Sequence, residues 1–121
     1  MWTLIIEGGY PMWFLMLFGI AGLVAAVGYA RRPTHTGLQV VIGLAITTIM
    51  SICTGIAADL AAVGHKAPDY LRSHPNMSLA EVTLAGVGES MSPAILGFSL
   101  LTIVALIVTL GLRRSRHADL D

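Results

Sequence analysis

Few side chains in this 121-residue chain are equipped for chemistry, and the most ordered set of them lies in an apolar stretch. Thr47, Ser51, Gly55 and Asp59 follow one another at intervals of four, which places them on one face of a helix, with Thr48 and Thr54 flanking the stripe. Hydroxyls inside a membrane helix bond either the carbonyl four residues earlier or a group on a neighbouring helix. The stripe therefore has two readings. It is polar glue between helices, or it is a seam lining a path for water or protons, with Asp59 at its outer mouth. An ionisable residue in a span is a functional candidate by default. Asp59 lies near the end of its stretch, where a carboxylate can also simply reach water. Glu89 is the second candidate, in Gly86-Val87-Gly88-Glu89-Ser90-Met91-Ser92, at the outer entrance of a later apolar run. A carboxylate there concentrates cations or pairs with a basic side chain of a partner. The plainer reading is an interfacial residue where the membrane begins.

Other chemistries find less support. Four histidines and six methionines invite a metal reading, but ligands must converge. His35 and His117 are expected on the side opposite His65 and His74, so that only His65, His74 and Met77 could meet. No HxxxH or CxxC spacing accompanies them, and no metal or other cofactor is expected. The chain has no GxSxG, Walker loop or HExxH, so an enzyme is not expected either. The lone Cys53 reads as a small apolar filler without a disulfide partner.

Three apolar runs must position these residues. Tyr10–Ala30 and Gly37–Ala58 carry no charge, and Ser90–Leu112 is the third. A bilayer core about 30 Å thick takes about 20 helical residues, so each run is long enough to cross. Hydrophobic residues make up 55% of the chain and charged ones 12%, with mean hydropathy +0.79. That composition leaves too little polar surface to solvate three buried helices in water. The expected fold is all-α: a single polytopic membrane domain over 1–121, with spans near 10–30, 37–62 and 90–112.

The formal net charge is zero, but the charges are segregated. Arg31 and Arg32 follow the first span, and Arg113, Arg114 and Arg116 follow the third. The ends expected on the other side hold Glu7, before the first span, and Asp59, Lys66, Asp69, Arg72, Glu81 and Glu89, between the second and third. The positive-inside rule then predicts the N-terminus outside and the C-terminus inside, with both arginine clusters cytoplasmic. A cleaved signal peptide would carry its positive charge ahead of the apolar run, whereas here the arginines follow it. The first run is expected to be retained as a span.

Between the spans the punctuation is readable. Trp2, Ile5 and Ile6 suit the outer interface, with Trp13 just inside it. Gly8–Gly9 reads as a turn, with Pro11 in the first helical turn. Gly19, Gly22 and Ala26 allow close approach of a neighbouring helix, unless they reflect only the usual abundance of small residues in membrane helices. Arg31–Thr36 makes a tight hairpin of the first two spans. The segment 64–77, with two prolines and many polar residues, is expected to be a loop on the outer side. Ser78-Leu79-Ala80-Glu81 has the form of a capping box, so a short helix should start there and run into the third span, kinked or restarted near Pro93.

The layout and two motifs resemble the ExbB/TolQ/MotA proton-channel family at its ExbB/TolQ end. Gly8-Gly9-Tyr10-Pro11-Met12-Trp13-Phe14-Leu15 is similar to that family's entry into span one, a Gly-Gly followed by Met/Tyr-Pro-Leu. Gly86–Phe98 is similar to its third-span entry, with Glu89 on the family glutamate and Gly97 on the later glycine. The family's pore threonine falls on Ala94, and Arg31–Thr36 stands where the family has a large cytoplasmic segment. The resemblance implies a subunit that forms a ring of identical copies around a single-span partner, in a bacterial inner (plasma) membrane. In that family the partner's aspartate carries the proton past hydroxyls of the channel protein. The alternative is a non-catalytic scaffold of a larger membrane complex. Lipid, further copies and a single-span chain are the expected partners; nucleic acid is not.

Overall fold

The computed structural model describes residues 9–120, with side chains from Met12 onward. Trp2, Ile5, Ile6, Glu7 and Gly8, assigned above to an interfacial segment and turn, lie outside the described residues. Four helices follow in order: α1 (Gly9–Arg31), α2 (His35–Ser73), α3 (Leu79–Ser90) and α4 (Ser92–Ala118). Among the described residues the fold is all-helical. Three stretches are long and apolar enough to cross a membrane: Met12–Arg31, His35–Ser73 and the α3–α4 run Leu79–Ala118.

Local signals set most boundaries. Pro11 lies in the first turn of α1, where its missing N–H costs no helical bond. Thr34 caps α2, its Oγ1 accepting from the Gly37 N–H at 3.0 Å. Ser78 and Glu81 complete the capping box of α3: Ser78 Oγ accepts from the Glu81 N–H at 3.2 Å, and Glu81 Oε2 accepts from the Ser78 N–H at 2.9 Å. The chain breaks for the single residue Met91 and restarts with Pro93 near the head of α4, as the proline predicts.

One boundary overturns the expectation. The segment 64–77 is not a loop, since α2 continues through Pro68 to Ser73 and only His74–Ser78 connect it to α3. Proline removes one helical hydrogen bond and crowds the carbonyl four residues earlier. Here that residue is Gly64, and both Gly64 and Pro68 face outward, so the crowding falls on the open side of the helix. Ala61, Ala62, Lys66, Ala67 and Leu71 favour the helix on either side, and the opposite face packs on α3, with Val63 against Gly86. Packing holds what proline alone would break.

Glycines fix the register of the bundle. A Cβ on Gly97 of α4 would collide with Ile52 of α2 and lie 3.2 Å from Leu15 of α1, so these residues form one closed layer. One on Gly19 would meet Leu100 at 2.5 Å, and one on Gly22 would meet Val104 and Leu44. At the far end, Gly111 closes on Ala30 and Tyr29, and Gly37 lies against Tyr29. The pairs show α1 parallel to α4 and antiparallel to α2. The face of α1 that carries Gly19, Gly22 and Ala26 is therefore a packing face: Ala26 is buried in a cluster with Tyr29, Val41 and Val104.

The same α2 register runs on through the break at Met91. Gly86 meets Val63 just as Gly97 meets Ile52, eleven residues along on each side. At 1.5 Å per residue α2 is about 58 Å long, against about 35 Å for α1 and about 40 Å for α4. The molecule therefore has two tiers. In one, α1, the first part of α2 and α4 pack three together; in the other, the end of α2 and α3 pack as a pair.

Candidate functional site

The stripe on α2 resolves into two parts. Gly55 is buried, whereas Thr47 and Ser51 sit half-buried on the flank of the packed face. Each hydroxyl donates to the carbonyl four residues back: Thr47 to Gly43 at 2.9 Å, Ser51 to Thr47 at 2.9 Å, and Thr54 to Met50 at 2.9 Å. Thr48, beside the stripe and only 1% exposed, does the same to Leu44 at 2.8 Å. These bonds occupy the hydroxyl protons, so none ties α2 to another helix. On α4, Ser99, Thr102 and Thr109 bond their own helix in the same way and point outward. Cys53 is likewise on the outer face and fills no gap in the core.

Asp59 parts from the hydroxyls of its stripe. It lies where α1 ends and α2 goes on beside α3, half-buried at the foot of a cleft of about 510 Å³. Asp59, Val63, Lys66 and Tyr70 line one wall from α2, at alternating spacings of four and three. Val82, Gly86, Glu89 and Ser90 line the other from α3. The structure thus brings together the two carboxylates that sequence reasoning held apart as separate candidates. The continuous register puts Glu89 and Ser90 level with Asp59. Ser90 is wholly buried, its hydroxyl donating to the Gly86 carbonyl at 2.8 Å.

Charges in the cleft are not spent on one another. The one ion pair among the described residues is Arg72 with Asp69 at 3.9 Å, on the outer surface of α2 and too exposed to contribute much. Asp59, Glu89 and Lys66 have no such partner there. Lys66 lies two turns beyond Asp59, about 10 Å along the helix. Sequence reasoning missed Lys66 and Tyr70 as lining residues because it read their segment as a loop. The signal was present: Asp59, Val63, Lys66 and Tyr70 already keep helical spacing.

The histidines do not converge. His65 and His74 are nine residues apart, about half a turn round from each other in helical geometry. The His74 ring stacks on Tyr70 at 4.4 Å, with Nδ1 3.3 Å from the Tyr70 carbonyl oxygen. No group of three His, Cys, Asp or Glu side chains among the described residues is placed to hold a metal ion.

The arginines gather at the end opposite the cleft. Gly111 packs on Tyr29 and Ala30, so Arg31 and Arg32 after α1 lie beside Arg113, Arg114 and Arg116 in the last turns of α4. The charge segregation seen in sequence is therefore a polarity of the folded molecule. Helices of this length and apolarity, arranged side by side, define an integral membrane protein. Comparisons with family models, with curated proteins and with solved structures return no match for the chain. The likeness to proton-channel subunits rests on the sequence motifs alone.

Proposed function

We propose that this chain is a small integral membrane subunit that oligomerises around a partner transmembrane helix, in the manner of ExbB/TolQ-type proton-channel proteins. Its role in this reading is a share in ion-driven energy transduction in a bacterial inner membrane. The observation that carries the reading is where the hydroxyls sit. Thr54, Ser99, Thr102 and Thr109 face outward from the single-chain bundle, with Thr47 and Ser51 on its flank. The core between the helices is packed with Leu15, Ile52, Ala26 and Val104. Any polar path that these helices line runs between chains, which requires a ring. Native mass spectrometry of the protein in mild detergent tests this. A closed homo-oligomer is expected, and a strictly monomeric species at low detergent overturns it.

The orientation belongs to the same proposal. Arg31, Arg32, Arg113, Arg114 and Arg116 face the cytoplasm, and the cleft with Asp59 and Glu89 faces outward, as the bias of short flanking segments favours. Its check uses single cysteines in place of Ser73 and Ser115 in a Cys53→Ala background. An impermeant thiol reagent on intact cells should label position 73 and spare position 115; the reverse pattern inverts the topology.

A specific observation favours a second reading, the scaffold. Because the hydroxyls of the spans are bonded to their own backbone, they ask nothing of water or of a transported ion. Proton flux in liposomes separates the two. Flux that is lost with Asp59→Asn and Glu89→Gln together assigns these carboxylates to conduction; a ring without flux leaves the scaffold.

A further inference from the structure

We infer that the cleft between α2 and α3 is the seat of a helix from a different chain, one that presents a lysine or arginine at the level of Asp59 and Glu89. The inference rests on the reading of the chain as a subunit that binds a partner helix, and it names where that helix sits and what it must carry. In the three-helix tier, α1 fills the groove between α2 and α4. In the two-helix tier the same groove continues in unbroken register, Gly86 against Val63 as Gly97 against Ile52, but no described residue of α1 lines it there. What remains is the cleft of about 510 Å³. Its floor is apolar and small, with Val63 and Gly86, which suits the close approach of another helix.

Charge selects the occupant. Two carboxylates stand level with each other at the foot of the cleft, one on each wall, and neither has an ion-pair partner among the described residues. A helix seated between them with an opposite charge satisfies both, whereas an uncharged one would cover half-buried Asp59 and exposed Glu89 without compensation. A second copy of this chain in the same orientation cannot supply that charge. Its arginine clusters lie at the far end of the bundle. Its nearest cation, Lys66, sits about 10 Å farther out than Asp59. The eight residues ahead of α1 contain no Lys or Arg, and their one charged side chain is the carboxylate Glu7. A separate chain with a basic residue at the end of an apolar helix is the match.

Photo-crosslinking from inside the cleft tests this in membranes of cells that make the full chain natively. A benzophenone side chain replaces Ala85, on the α3 wall, and in a control it replaces Ala105, on the outer face of α4. The expected result is an adduct from position 85 to an apolar segment of another protein, with a Lys or Arg within one turn of the mapped site. Its yield should fall about tenfold when Asp59→Asn and Glu89→Gln are combined, as for an interfacial charge pair that loses one side. Reversing the charge of the mapped basic residue should abolish the adduct, and Asp59→Lys with Glu89→Lys should restore it, which rules out simple misfolding of the neutral variant. An adduct to residues 1–8, to a second copy or to lipid alone overturns the inference, as does a yield indifferent to the two carboxylates. A ring seen by native mass spectrometry together with any of those outcomes removes this inference and leaves the oligomer standing.

Discussion

The two tiers of the molecule are built from the same pair of walls but held by different forces. Around Gly97, three helices close on one another, and Leu15 and Ile52 are almost wholly buried. In lipid, apolar side chains gain little by leaving their surroundings, so this tier depends on close contact at small residues. Gly19, Gly22, Gly97 and Gly111 provide it. Around Gly86, α2 and α3 alone meet among the described residues, with Val63 and Val82 between them and Leu79 and Leu84 left on the outside. The pair carries most of the charged residues between the spans, and its helices have one packed face each. The three-helix tier holds no unpaired charge among its described core residues and carries the hydroxyls, whereas the open tier holds the two candidate carboxylates.

Several substitutions can break that contrast. The largest effect is expected at Gly97. Gly97→Val forces a side chain into a layer closed on three sides and should cost about 3 kcal/mol, the upper end of overpacking. Gly86→Val meets Val63 just as closely, but among the described residues no third helix backs α3, which can tilt away from α2, so about 1 kcal/mol is expected. Unfolding of the full chain in graded detergent denaturant measures both, and equal losses would mean that the tiers are equally rigid.

A smaller effect sharpens the same point. Ser78→Ala removes the bond that Ser78 Oγ accepts from the Glu81 N–H, leaving only the backbone half of the capping box, and should destabilise α3 by about 1 kcal/mol. Because α3 leans on one helix only, hydrogen exchange should rise across Leu79–Ser90 while α1 and α4 stay protected. Faster exchange throughout the protein would show that the tiers unfold as one. The smallest expected change is a gain. Gly88 has open space where a Cβ would stand, so Gly88→Ala should stabilise α3 by about 0.5–1 kcal/mol through helix propensity. Gly111→Ala should show no such gain, because its Cβ would lie 3.1 Å from Ala30 and Tyr29. The same detergent series reads both.

Much of this was legible in the chain itself, for a local reason. Span length, the capping box at Ser78, the restart at Pro93 and the arginines at two helix ends are decided by neighbours within a turn or two, or by transfer from water to lipid. Gly19 and Gly22 signalled a close-packed face because only small residues permit it. What sequence spacing did not carry was register between helices. The fate of Pro68 depended on α3 packing against the opposite side of α2, and periodicity in one segment is silent about support from another. The outward turn of the hydroxyls and the placing of Asp59 and Glu89, thirty residues apart in the chain, on facing walls of one cleft follow from which glycine faces which side chain across the bundle. Those contacts are pairwise and distant in sequence, so only the folded arrangement fixes them.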